Sequence, residues 1–156
     1  MKTQFVHAIT CALALCATFD APSVAAPLET TPSANEKVTD FVIGKHAIVA
    51  KDWTLAAKSF ARVVAEQPNN ADAHNLLGYS LRWLNRYDEA FAAYDKALAL
   101  DPNHKGALEY SGVAYLKTNQ KAKAEANLAR LQAICATCEE TTDLARAIAE
   151  YKAAAK

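Results

Sequence analysis

Apolar positions recur at helical spacing through most of this chain, and the blocks they form repeat. Gly44, Gly78 and Gly112 are 34 residues apart, and so are Ala56, Ala90 and Ala124, and the large apolar residues Phe60, Tyr94 and Leu128. Pro68 and Pro102 share that interval. A fixed period of this length marks a chain built from repeated supersecondary units. Each column has a physical task. The Gly and the Ala allow two helices to cross closely, and the large residue four positions after the Ala lies on the same helix face and fills the space beside the crossing. The Pro cannot continue a helix and opens the next turn. The pattern predicts helix pairs at about 35–50 and 53–66, 71–84 and 87–100, and 105–118 and 121–134, with a last helix at about 139–154. Asn70 and Asp72 suit a helix start, and Asp52, Asn85 and Asn119 suit the turns inside the pairs. Thr137 followed by Glu140 reads as a capping box for the last helix. Leu144, Ile148 and Tyr151 give that helix one apolar face.

The middle unit, Ala71 to His104, carries Leu77-Gly78, Leu81, Ala90, Tyr94, Ala97 and Pro102, and this pattern resembles the tetratricopeptide repeat family. The resemblance runs over about 37–136. It implies an all-α fold, a right-handed α-solenoid of three helical hairpins (about 37–70, 71–104 and 105–138) closed by a C-terminal capping helix. Departures fall at His74, where the family has a large aromatic residue, at Ala47, where a Tyr is common, and in the third unit, which lacks the Pro. In this family the first helices of successive hairpins line a concave groove. Carried onto this chain, the groove positions are Phe41, Lys45 and Val49, then Asn75, Leu76, Tyr79, Arg82 and Trp83, then Glu109, Tyr110, Val113 and Lys117. Aromatic residues with a few fixed polar anchors suit a polypeptide partner. Family members that clamp a C-terminal carboxylate use Lys and Asn at places held here by Phe41, Leu76 and Gly106, so that clamp is not expected. The resemblance therefore implies a non-enzymatic interaction module or scaffold. Its alternative within the same class is an assembly factor, such as the periplasmic domains that hold an apoprotein during cytochrome c maturation.

Composition narrows the partners. Seventeen basic residues balance seventeen acidic ones, which gives no electrostatic footprint for nucleic acid or an anionic membrane. Apolar residues make up 52% of the chain while Gly and Pro are few, a mix that favours packed helices. The N-terminus changes the setting. Lys2, an uncharged run from Ala8 to Phe19 and the small residues at Ser23-Val24-Ala25 read as a signal peptide over 1–25, cleaved after Ala25, with Ala26 as the alternative. The run is too short for the ~20 residues of a membrane span. Leu15 before Cys16 argues against lipoprotein processing. Residues 26–34, rich in Pro, Thr and Ser, read as a disordered leader, and the expected location is the periplasm of a Gram-negative bacterium.

Cleavage would leave Cys135 and Cys138 as the cysteines, and an even pair in an exported chain points first to a disulfide. Their CxxC spacing also admits a redox pair or half of a metal site. Haem attachment fails because residue 139 is Glu. A redox enzyme would set the motif beside a βαβ sheet, and no strands are expected. His46, His74 and His104 lack ligand spacing for zinc. No nucleophile–base arrangement, paired-carboxylate motif or phosphate loop appears, so neither a catalytic residue nor a cofactor is expected. A thiol oxidoreductase using Cys135 and Cys138 is the rival from the enzyme class.

Overall fold

The computed structural model describes residues 39–154. The expected signal peptide and leader lie outside them. Every element among the described residues is a helix: α1 (Asp40–Val49), α2 (Trp53–Glu66), α3 (Ala71–Trp83), α4 (Tyr87–Leu100), α5 (Lys105–Lys117), α6 (Lys121–Ile134) and α7 (Glu139–Ala154). They form three hairpins and a closing helix, an α-solenoid. None is long and apolar enough to cross a membrane.

Local chemistry sets the ends. The second helices begin at Trp53, Tyr87 and Lys121 and end at Glu66, Leu100 and Ile134, so both boundaries keep the sequence period. Before each of them one residue turns left-handed: Lys51 (φ 58°), Asn85 (φ 59°) and Asn119 (φ 58°). Asn tolerates that conformation better than other non-glycine residues, and Lys does not share the advantage. Asp52, expected in the first turn, instead caps α2, its carboxylate accepting from the Leu55 N–H at 2.9 Å. Asn70 caps α3 in the same way through the Ala73 N–H at 3.0 Å. Among the described residues the first helix starts at Asp40, capped by the Thr39 hydroxyl, which accepts from the Val42 N–H; the expected start near 35 lies outside them. At α7 the capping register moves by one. Thr142 N–H donates to the Cys138 carbonyl, which makes Cys138 and not Thr137 the residue that opens the helix.

The core follows the glycine columns, with one exception. Phe60 and Tyr94 are fully buried, and a Cβ placed on Gly44 or Gly78 would come within 2.7 Å of the Phe60 or Tyr94 ring. Close backbone approach is what those two glycines provide. In the third hairpin Gly112 faces Leu144 of α7, also at 2.7 Å, while Leu128 is only half-buried at the edge of that core. The expected column therefore breaks at Leu128. A buried polar set completes this hairpin: the Asn127 amide donates to the Leu108 carbonyl (3.0 Å) and to Ser111 Oγ (2.8 Å), and Ser111 in turn donates to the Ala107 carbonyl. Leu144 and Ile148 of α7 pack with Leu108, Leu116, Ala124 and Leu131, and the Tyr151 hydroxyl donates to Asn119 Oδ1 at 3.1 Å.

Candidate functional site

Asn75, Tyr79 and Arg82 stand at i, i+4 and i+7 of α3 and so share one face. That face meets α5, the first helix of the next hairpin. The Tyr79 and Tyr110 rings lie 4.7 Å apart across the junction. Tyr79 also meets Trp83 edge to face at 6.3 Å, and Trp83 stacks on Trp53 at 5.0 Å with the planes 8° apart. The Arg82 guanidinium sits 5.0 Å from both the Tyr79 and the Trp83 ring centres, a cation–π arrangement. The outcome is one continuous aromatic surface with a fixed cation, and Trp83 is 48% exposed on it.

Below this surface the polar groups are incompletely used. Asn75 is only 5% exposed, its Oδ1 has no hydrogen-bond partner, and its Nδ2 lies 3.1 Å from where a Gly106 Cβ would be. Arg82 Nε and the Tyr94 hydroxyl are also buried without partners, but Arg82 lies beside Tyr94, and its charge acts on that phenol. Asn75 Oδ1 makes no hydrogen bond, and an unmade buried acceptor costs ~1–3 kcal/mol. Tyr110 is half-buried, and burial with the nearby Glu109 charge pushes its phenol up to about 12, so it stays a neutral donor. Glu109, next to it, is raised to about 7, first by burial and then by the charges of Asp143 and Glu140, against the opposing pull of Arg82.

Two family models of the tetratricopeptide repeat match the chain, over residues 41–105 and 84–137. The chain belongs to the tetratricopeptide repeat family. No curated protein matches it. Among solved structures it is similar to the TPR2B domain of yeast Sti1 in complex with pHsp70, at 20% identity and a TM-score of 0.67, over 74% of this chain and 94% of that one. It is similar also to PcrH in complex with the chaperone binding region of PopD (22% identity, TM-score 0.63, 74% of this chain and 88% of that one). A third likeness is the CopN–Scc3 complex (23% identity, TM-score 0.60, 71% of this chain and 65% of that one). At these identities the likeness is one of fold.

Within the tetratricopeptide repeat scaffold the expected groove residues divide. Asn75, Tyr79, Arg82, Trp83, Glu109 and Tyr110 come together on α3 and α5. Phe41 does not join them: it packs edge-on against Phe60 at 5.6 Å, and Leu76 packs beside the same ring cluster, so both serve the core. Lys45 and Val49 are exposed and border a shallow surface on α1 with Val42 and His46. Val113 and Lys117 line a separate crevice of about 380 Å³ between α5 and α7, with Ala147, Glu150 and Tyr151. Trp53 is the residue that sequence reasoning missed. Groove positions belong to first helices, whereas Trp53 is the first residue of a second helix and reaches the surface from the turn. A Trp placed directly after a hairpin turn was the available signal.

Cys135 and Cys138 are free thiols in this structure, so the expected disulfide is not formed here. Cys135 closes α6, its N–H donating to the Leu131 carbonyl, and the Cys138 thiol lies 3.1 Å from the Cys135 carbonyl. Contact with the Cys138 thiol lowers Cys135 from the usual thiol range. Thr141 Oγ1 donates to the same carbonyl at 2.6 Å. His74 and His104 are occupied by structural tasks. His74 Nε2 is 3.0 Å from the Pro68 carbonyl. His104 Nδ1 accepts from the Ala107 N–H, which leaves the proton on Nε2, 3.0 Å from Asp72. No group of His, Cys, Asp and Glu among the described residues is arranged to hold a metal ion.

Proposed function

We propose that this protein is a non-catalytic interaction module that holds a segment of another polypeptide against α3 and α5. The observation that carries the reading is the joined surface of Trp53, Trp83, Tyr79 and Tyr110, with Arg82 fixed on it and the Asn75 acceptor unmade beneath it. Large rigid rings lose little conformational freedom on binding, and buried polar groups in want of a partner favour a ligand that supplies one. Complexes similar in fold, those of Sti1 with pHsp70 and of PcrH with a region of PopD, support a polypeptide as the ligand. The N-terminal run that reads as a signal peptide over 1–25 supports work in the periplasm. There a disulfide-bearing thiol oxidant, itself reduced to a dithiol by exchange, would convert the Cys135 and Cys138 thiols to a cystine that ties α6 to α7.

Crosslinking in intact cells, followed by identification of the crosslinked protein, supplies the partner. Replacing Tyr79, Arg82 and Tyr110 singly by Ala is then expected to weaken capture by ~2 kcal/mol each with helical content unchanged. Capture that survives all three replacements moves the binding face elsewhere. Fractionation with N-terminal sequencing tests the location, with Ala26 expected as the first residue. Rapid alkylation and mass spectrometry test the cystine: two alkylated thiols in periplasmic protein would remove it.

A further inference from the structure

The groove carries acceptors that no group among the described residues uses. Its one cation on the aromatic surface, Arg82, lies against the rings of Tyr79 and Trp83. Arg82 Nε and the Tyr94 hydroxyl also lack hydrogen-bond partners, but two of the unmet groups can only accept. Asn75 Oδ1 is buried and unpartnered. Glu109 makes no ion pair among the described residues, whereas its neighbours Glu140 and Asp143 are paired with Lys105 (3.5 Å) and Arg146 (2.6 Å). The space in front of the Asn75 amide is kept open by Gly106: a Cβ there would lie 3.1 Å from Asn75 Nδ2 and 3.7 Å from the Tyr110 ring. The Tyr79 and Tyr110 rings stand over the same junction of α3 and α5.

We infer that this junction of α3 and α5 takes a basic residue of the partner segment, a Lys or Arg whose cation is held by Glu109 and whose adjoining main-chain N–H donates to Asn75 Oδ1. The inference rests on the groove reading above and specifies the chemistry of its occupant. A cationic side chain brings only donors, which is what two unmade acceptors require. Aromatic faces attract the same charge. An acidic segment would meet the unpaired Glu109 carboxylate, and like charges brought together at an interface reject a partner. Glu109 is faced by Arg82 from α3 and by Glu139, Glu140 and Asp143 from α7. With its carboxyl raised to about 7, it gains charge as pH rises through neutrality, and binding of a basic segment strengthens in the same direction.

The test uses the purified protein and a random-peptide library displayed on phage, panned at pH 8. Selected peptides are titrated against wild type, Tyr79→Ala, Gly106→Ala and Glu109→Gln. The expected result is a shared Lys or Arg and a roughly tenfold loss of affinity in Glu109→Gln. The loss should not grow further when the peptide's basic residue is also replaced by Gln. Wild-type affinity falls between pH 8 and pH 6, and that of Glu109→Gln does not. Gly106→Ala weakens binding while the fold stays intact. Peptides that need Tyr79 but share no basic residue, or that ignore Glu109→Gln, overturn this inference and leave the groove reading standing. A selection that yields no peptide dependent on Tyr79 overturns both.

Discussion

The middle and third hairpins have the same length and the same turn, but they close their cores differently. In the middle one, Tyr94 of α4 lies on Gly78 of α3, so the hairpin supplies both halves of its tightest contact. In the third, Gly112 of α5 is covered by Leu144 from α7, and Asn127 ties α6 to α5 through buried hydrogen bonds where the middle unit has Ala93. The sequence period extends over both; self-sufficiency does not. A repeat at the end of a solenoid has no successor, and here the closing helix supplies the missing side chain.

Leu144→Ala gives the largest expected effect. It removes a fully buried side chain from above Gly112 and should cost ~3 kcal/mol, whereas Leu128→Ala, at a half-buried site, should cost clearly less. Equal melting temperatures for the two variants would break the comparison. Next comes the pair of glycines. Gly78→Ala drives a Cβ into a buried Tyr ring and is expected to cost ~2 kcal/mol, while Gly112→Ala meets the methyl ends of a Leu, which can turn aside, and should cost less. Urea unfolding of both variants measures the difference.

Much of this was legible because a period constrains many positions at once. Gly44, Gly78, Phe60 and Tyr94 take the places their columns assign. Leu128 does not, since its column says nothing of a helix outside the repeat that competes for the same space. The cap at Cys138 is a similar case: the thiol-bearing residue leaves the extended turn one position later than Thr137 suggests, and Thr141 joins the Cys135 carbonyl instead. In the groove, Tyr79 and Tyr110 were legible from helix position. Phe41 and Leu76 were not, because an apolar residue at such a position can face either the groove or the neighbouring helix, and only packing decides. Trp53 reaches the surface through a turn, where helical periodicity carries no information.

A smaller effect separates α5 from α3 by charge. Burial raises Glu109 from 4.5 to about 7. Between those values the folded protein binds more protons than the unfolded chain, so stability falls as pH rises through that window and levels off above it. Glu109→Gln removes the penalty. After discounting for its partial exposure, it should stabilise by ~1 kcal/mol at pH 8 and by nothing at pH 4. Thermal unfolding at the two pH values measures this, and a gain that persists at pH 4 would sink the assignment to burial of charge.

The smallest expected effect concerns the first turn, where Lys51 adopts the conformation that Asn85 and Asn119 adopt in the later hairpins. Lys51→Asn should stabilise by ~0.5 kcal/mol, and Asn85→Lys should cost a similar amount. Chemical denaturation of the reciprocal pair checks both signs.

The position of Leu144 also orders events in time. A chain emerging from the ribosome, or threaded through a membrane channel, presents its N-terminal end first. Phe60 can settle on Gly44, and Tyr94 on Gly78, as soon as each second helix has emerged. Gly112 must wait for a residue that belongs to the final helix. Until then α5 shows an uncovered apolar seam beside Glu109 and Tyr110, and the face that would receive a partner becomes rigid later than the first two hairpins.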